Sequence, residues 1–239
     1  MSDKMTAPAR ARTGQLDHIA HTDPPKKLCI LLSIDWGTFK FAAGFSICAN
    51  GDTISVHEPS ILSFNDIDCL VPMMATWYNK DLVHGFELRD LLRDGKVKSE
   101  DVIEFFKLAL YDHGGQVPMS KRANRVKEQL AQLGKSTHEL FTAHLKAVFE
   151  DCKWEIRRSG MRFHFKAEDL AQMPVKVRLS VPRMWSPSAR RQMQEAAQAA
   201  GIPLVALASE PPSVLAYFVY KIANGSIDFG TQLKKAIRR

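Results

Sequence analysis

The sequence lacks the features of a membrane-spanning or secreted protein. No apolar run reaches the roughly 18 residues that a bilayer-spanning helix needs, and the N-terminus has no apolar signal core. Only four cysteines occur, without a C-x-x-C pair or a histidine spacing that suits zinc. These absences predict a cytoplasmic, intracellular protein that contacts no membrane and keeps its cysteines as buried free thiols.

Acidic side chains are the scarcer charge, with 26 Asp and Glu against 33 Lys and Arg and a formal net charge of +7. The excess is concentrated at the two ends, where residues 1–27 and 221–239 together hold ten basic side chains and four acidic ones. Because the middle of the chain is nearly neutral, this charge predicts solvated basic termini and does not favour a nucleic-acid partner.

The length of 239 residues and the 45% hydrophobic content suit one large domain or two small ones. Residues 1–26 are rich in Ala, Thr, Arg, Asp and Pro, which predicts a disordered N-terminal segment. We expect the folded part over residues 27–223 and a basic C-terminal tail over residues 224–239.

The chain is organised around residues 28–45. A continuous apolar run from Leu28 to Ile34 predicts a buried strand, and a second strand is expected from Phe39 to Ile47. Between them, Asp35-Trp36-Gly37-Thr38 has two interpretations. It is an ordinary hairpin turn, or it is a cradle in which backbone N–H groups face a phosphate and the carboxylate holds a hydrated Mg²⁺.

The middle of the chain is predicted to mix short strands and helices. Asn50-Gly51 predicts a turn into a third antiparallel strand, Thr53 to His57, and short strands follow between residues 69 and 86. A helix is expected from Ser99 to Ala109. Within it, Lys107 is either a helix-surface lysine or a lysine at a cleft that holds a phosphate.

Residues 120–151 predict a long amphipathic helix that Gly134 bends or divides. His138 and His144 lie there without a metal-binding spacing and are interpreted as surface or packing residues. Residues 154–165 mix basic and aromatic side chains and predict a small hairpin around Ser159-Gly160.

The C-terminal part alternates strands and helices. Val175 to Val181 predicts a strand, Ser186-Pro187-Ser188 starts a helix that ends at Gly201, and Leu204 to Ala208 predicts another buried strand. A further helix is expected over residues 213–222. This order implies parallel strands with right-handed crossovers, and ligands bind at the carboxyl ends of such strands. Asp35 and Glu210 both follow such ends.

Several segments resemble the actin-like ATPases, and especially the heat shock protein 70 family. Residues 34–38 (IDWGT) resemble the family's first phosphate loop, I-D-L-G-T-T. Residues 181–186 (VPRMWS) resemble its V-P-A-x-[FW]-x segment, and residues 209–217 (SEPPSVLAY) are similar to N-E-P-T-A-A-A-x-A-Y. Residues 103–108 (IEFFKL) resemble the F-K-[LM] segment of its divergent branch.

The resemblance implies an α/β fold, namely one actin-like ATPase (ribonuclease H-like) lobe, whose mixed sheet has three antiparallel strands, parallel strands and crossover helices. It implies ATP and Mg²⁺ as cofactors. Asp35 would position the metal's water shell, while Gly37, Thr38 and the backbone of Phe39 would contact phosphates. By the same resemblance, Lys107 would lie near the γ-phosphate, and Glu210 would hold the metal through water together with the attacking water, as phosphoryl transfer to water requires.

Two departures separate the sequence from that pattern. Phe39 stands where the chaperones have a second threonine. After Tyr217 only residues 225–231 (GSIDFGT) resemble the second phosphate loop, and they lack its triple glycine. The second lobe and the adenosine pocket are not found, so we expect a chain truncated before the second lobe, with millimolar nucleotide binding and little or no hydrolysis.

Three hypotheses for function remain open at this point. The first is a chaperone-like, actin-like ATPase domain that binds nucleotide. The second is a non-catalytic remnant or interaction module that binds a protein partner or itself through an uncovered lobe face. The third is a sugar kinase of the same superfamily, against which residues 181–185 and 209–212 argue.

Overall fold

The computed structural model describes residues 28–49, 60–65, 68–110, 120–160 and 165–209. The main sheet has six strands, with the spatial order β3-β2-β1-β8-β9 and with β4 paired to β2. Its strands are β1 (Leu28–Trp36), β2 (Lys40–Ala49), β3 (Ser60–Ile61), β4 (Val71–Pro72), β8 (Val175–Val181) and β9 (Leu204–Ser209).

A second, three-stranded antiparallel sheet lies between these segments in sequence. It is formed by β5 (Met74–Tyr78), β6 (Asp81–His84) and β7 (Ile103–Glu104), in the order β6-β5-β7. The helices are α1 (Gly85–Arg93), α2 (Ser120–Gln132), α3 (Thr137–Gly160), α4 (Ala167–Gln172) and α5 (Pro187–Ala199). None of the helices in the described ranges is long and apolar enough to cross a membrane.

The pairing of the main sheet confirms the predicted mixture of antiparallel and parallel strands. β1 pairs with β2 in the antiparallel sense from Leu28↔Ala49 to Trp36↔Phe41, and with β8 in the parallel sense from Ile30↔Val175 to Asp35↔Ser180. β8 in turn pairs in parallel with β9. The chain is therefore a mixed α/β protein. The start of β2 and the end of β8 both lie beside the end of β1 at one edge of the main sheet.

One face of the main sheet forms the core. Alternate residues of β1 (Ile30, Leu32, Ile34 and Trp36) are buried there, and they belong to one cluster with residues of α3 and α5. On the opposite face, Ser33 and Asp35 are exposed. The period of two thus separates a packing face from a face that carries polar side chains.

Helix ends follow local rules. Ser136 forms a capping box at the start of α3, because its hydroxyl accepts from the Glu139 N–H (3.1 Å) while its own N–H donates to Glu139 Oε2 (2.8 Å). Ser186 caps α5 by accepting from the Ala189 N–H at 3.2 Å, and Pro187 is the first helical residue. The division of the long helix near Gly134, at φ 63°, is confirmed.

Three local predictions are wrong. The segment from Ser99 to Ala109 is not a continuous helix but a 3-10 turn (Ser99–Asp101), the strand β7 and a second 3-10 turn (Phe106–Leu110). Residues 154–160 continue α3 and do not form half of a hairpin. β9 is not a buried strand, because Val205 is exposed. In the first case Ile103 pairs with Ala75, and Phe105 adopts φ 56°, which interrupts any helix.

Other predictions lie outside the described residues. They are the N-terminal segment over residues 1–26, the strand from Thr53 to His57, the helix over residues 213–222 and the tail over residues 224–239. The cysteines are free, as predicted, with Cys29, Cys48 and Cys152 buried, while Cys69 is exposed.

Candidate phosphate-binding site

The candidate site is the turn that joins β1 to β2, because four of the predicted site residues are at or next to it. Asp35 is the penultimate residue of β1, and Gly37, Thr38 and Phe39 form the connection to β2. Trp36 pairs with Phe41 across the hairpin and so closes this three-residue connection. A short, closed connection of this kind brings consecutive backbone N–H groups together.

Gly37 is required by the geometry of this turn. A Cβ atom built on Gly37 would overlap the carbonyl oxygen of Lys40, which folds back over the turn. The turn is also fixed from outside, since the Met73 N–H donates to the carbonyl oxygen of Phe39 at 2.8 Å. The glycine therefore allows a close backbone approach, but the approaching group is the carbonyl of Lys40 in the same chain, and the predicted approach of an anion stays a prediction.

Asp35 is held by β8. The Ser180 hydroxyl donates a hydrogen bond to Asp35 Oδ1, and the two residues are register partners in the parallel pair. Because the side chains of directly paired residues project from the same face, this contact follows from the register. The carboxylate remains exposed on the face of the sheet that lies opposite the core.

Lys107 approaches the same turn from the other side. Its side chain is 1% exposed, and its Nζ donates to the carbonyl oxygen of Trp36 at 2.5 Å. The ammonium also lies 5.4 Å from the ring centroid of Trp185. The interpretation of Lys107 as a helix-surface lysine is therefore wrong, because this lysine is buried behind the end of β1.

Trp36 connects the turn to the core. Its indole ring is fully buried, contacts Phe141 edge-on at 5.2 Å between centroids, and donates from Nε1 to His144 Nδ1 at 3.1 Å. Its backbone carbonyl oxygen accepts the hydrogen bond from Lys107. One residue, placed between Asp35 and Gly37, thus anchors the turn through both its side chain and its backbone.

Phe39 is exposed and makes an edge-to-face aromatic contact outside the turn. Its ring is 65% exposed and meets Phe105 edge-on, with the ring centroids 5.2 Å apart. The Arg122 guanidinium lies over Phe105 at 4.5 Å from the ring centroid. Because the Phe39 side chain points to solvent and has no hydroxyl, only its backbone could contact a phosphate at this turn.

A single carboxylate at this turn suits a hydrated cation and not one that is bound directly by protein ligands. Within the described ranges, no group of three or more His, Cys, Asp or Glu side chains could hold a metal ion. Mg²⁺ commonly keeps several waters and uses one or two carboxylates together with phosphate oxygens. Asp35 fits that arrangement, and Glu210, the other predicted metal residue, lies outside the described residues.

Sequence reasoning missed Ser180 and His84 in this region, and it interpreted the buried His144 only as a surface or packing residue. Ser180 was detectable from the parallel register once Val175–Val181 was taken as the neighbour of β1. His144 and His84, which lie behind Trp36, gave no local signal, because the contacts that bring them there are between residues far apart in sequence.

Comparison with models of known protein families gives no match for this chain, and comparison with curated proteins gives none either.

Proposed function

We propose that this chain forms the first lobe of an actin-like ATPase domain related to the heat shock protein 70 family, and that its β1–β2 turn binds the phosphates of Mg-ATP. The observation that carries this proposal is the convergence of Asp35, Gly37 and Lys107 at one end of β1. An exposed carboxylate and a closed turn lie at this end of β1, and the buried Lys107 side chain reaches the Trp36 carbonyl there from 71 positions away in sequence.

The turn supplies the elements that recognise phosphate. The constriction at Gly37 keeps the connection tight, and Thr38 adds a half-buried hydroxyl beside it. Backbone N–H groups in tight turns form concave anion sites. Lys107 adds a positive charge next to the turn, and because it is already ordered by the Trp36 carbonyl, no side-chain entropy is lost when an anion arrives.

The carboxylate suits the metal that accompanies a nucleoside triphosphate. Bound Mg²⁺ would neutralise charge that develops on the phosphates. Asp35 would orient the water shell of the ion, with Ser180 fixing the carboxylate through Oδ1. In this proposal Glu210 would order the attacking water.

The proposal is tested by calorimetry of Mg-ATP on the full 239-residue chain. We expect a dissociation constant of about 1 mM, because one lobe provides only part of a two-lobe site. Asp35→Asn is expected to abolish the binding, whereas Asp81→Asn, which removes an exposed carboxylate in the second sheet, should leave it unchanged. Absence of binding to the unmodified chain, or equal loss in both variants, would refute the proposal.

A second function is favoured by the exposed apolar side chains near the turn. Phe39 and Met184 are 65% and 78% exposed, and they follow the ends of β1 and β8. Because β1 and β8 are parallel neighbours, both residues follow the same end of the sheet, and exposed apolar patches commonly mark a protein interface. In that case the chain is a non-catalytic interaction module. It would self-associate in sedimentation experiments, Phe39→Ser would return it to a monomer, and Ile61→Ser, a matched exposed position, would not.

A further inference from the structure

Two buried histidines lie directly behind the turn. His144, on α3, is fully buried, and His84, at the end of β6, is 8% exposed. Their rings meet edge-on with centroids 5.0 Å apart, and aromatic side chains of other elements surround them. These neighbours are Trp36, Phe41 and Phe106.

The tautomer of His144 is fixed by its partner. An indole N–H can only donate, so His144 Nδ1, 3.1 Å from Trp36 Nε1, must accept. A neutral imidazole carries one proton, which must therefore be on Nε2. That buried N–H group has no hydrogen-bond partner within the described part of the chain.

The tautomer of His84 is fixed in the same way. Its Nε2 lies 3.2 Å from Asp151 Oδ2, and an ionised carboxylate can only accept. In the neutral form of His84 the proton is therefore on Nε2, and Nδ1 presents a lone pair. This atom, too, is buried without a hydrogen-bond partner among the described residues.

The two remaining nitrogens are complementary, since one is a donor and the other an acceptor on neighbouring rings. We propose that His144 Nε2–H donates to His84 Nδ1 through one buried water. This would complete a series of hydrogen bonds that all run in one direction, from Trp36 through His144 and His84 to Asp151. In this series the two histidines act as positioning residues for the phosphate-binding turn. Buried polar atoms are rarely left unpaired, and aligned hydrogen bonds polarise one another.

The chain of hydrogen bonds acts on the candidate site through Trp36. That residue lies between Asp35 and Gly37, and its carbonyl accepts from Lys107. At its other end, His84 and Asp151 line a cleft of about 580 Å³ between α1 and α3. Fixing the indole therefore fixes the backbone at the end of β1. The effect on nucleotide binding rests on the function proposed above, but the hydrogen bonds themselves do not.

The first test observes the protons. Long-range ¹H–¹⁵N correlation spectra of the full chain, labelled in histidine and recorded at alkaline pH where imidazoles are neutral, should show both His84 and His144 as the Nε2–H tautomer. The Trp36 indole proton should be downfield and protected from exchange. His144 as the Nδ1–H tautomer, or as a rapidly exchanging mixture, would overturn the proposal even if no variant folds.

The second test uses matched carboxylate variants. Asp151→Asn is expected to shift the Trp36 indole resonance upfield, because the terminal charge is lost. Glu150→Gln, which removes the neighbouring exposed carboxylate on the same helix, should leave that resonance unchanged. Equal responses to the two variants would contradict a chain that ends at Asp151.

The same pair of variants tests the link to the site. Mg-ATP should bind between about twofold and about thirtyfold more weakly to Asp151→Asn than to Glu150→Gln. If the spectra show the expected tautomers while the unmodified chain binds no nucleotide, the proposed function fails and the hydrogen-bonded chain stands. If nucleotide binds normally while His144 is the other tautomer, the hydrogen-bonded chain fails alone.

Discussion

The burial of His144 predicts that the free energy of unfolding decreases as the pH falls and that His144 contributes a measurable part of this decrease. Burial inside the protein, with a smaller contribution from His84, lowers the pKa of His144 well below its usual value of 6.5. The folded chain therefore keeps this imidazole neutral, whereas the unfolded chain protonates it near pH 6.5. Because only the unfolded state binds the extra proton, the contribution of His144 to the free energy of unfolding is fully present above pH 6.5. It is lost progressively as the pH falls below that value.

The magnitude follows from one proton. Between the folded-state pKa and pH 6.5, the free energy of unfolding should fall by up to about 1.4 kcal/mol per pH unit. Urea unfolding of the full chain at pH values from 8 to 5 measures this slope. His144→Asn keeps an acceptor near Trp36 Nε1 but cannot titrate, so its slope should be smaller by that amount. The control is His138→Asn, at an exposed position of the same helix, and it should follow the unmodified chain.

The difference between the two slopes cancels the effects of the nearby titratable groups other than His84, because those groups are present in every variant. They are Lys107 beside Phe106, Asp151, Cys152 and Glu155 on α3, and Glu87 and Asp90 on α1. His84 on β6 contacts His144 and contributes to the lowering of its pKa, so the difference reports the two histidines together. If His144→Asn shows the same slope as the unmodified chain, the imidazole is not held neutral by the fold, and the reasoning about its burial is wrong.

Three further results are expected. Gly37→Ala should destabilise the chain by about 1 to 3 kcal/mol in urea unfolding, because its Cβ forces the turn open; an unchanged midpoint would show that the turn is not tight. Ser136→Ala removes the hydroxyl that accepts from the Glu139 N–H, and it should cost about 1 kcal/mol in the same assay. In thiol titration of the native chain, exposed Cys69 should react quickly, while Cys152 should react only on unfolding, because burial raises its pKa; rapid labelling of Cys152 would contradict this assignment.

The elements predicted correctly are those whose signals are local. β1 contains an apolar run of strand length, β8 alternates apolar and polar residues, and α5 begins with a serine cap and a proline and ends beside a glycine. The parallel pairing followed from the order of these elements along the chain. The strand and helix rules each use residues that are close together in sequence, and the pairing rule uses only the order of those elements.

The wrong predictions are those in which distant contacts override local preference. The apolar segment Ser99 to Ala109 has the composition of a helix, but Ile103 instead completes the second sheet by pairing with Ala75. Phe105 then turns into the left-handed region and stacks between Phe39 and Arg122. Propensity is a weak guide where pairing and packing with remote residues offer more.

The candidate site, too, combines features that local sequence predicts with features that depend on contacts between distant residues. The Asp35-Trp36-Gly37-Thr38 turn between two strands was predictable because its residue types and spacing are contiguous, while its role as a phosphate cradle stays a prediction. Ser180 required the register of two strands, and the contact between Trp36 and His144 joins residues 108 positions apart. A sequence pattern therefore identifies which turn could bind an anion, while the tertiary contacts decide how firmly that turn is held.

This anchoring affects what the turn can do as a binding site. A surface connection normally loses conformational entropy of about 1 to 2 kcal/mol per residue when a ligand orders it. Here the Trp36 indole is fixed in the core, its carbonyl is fixed by Lys107, and the Phe39 carbonyl is fixed by Met73. Most of that ordering is complete before any ligand arrives, so a phosphate group would meet a turn already in place. It follows that core substitutions around Trp36 should weaken anion binding as well as folding, because the same contacts support both.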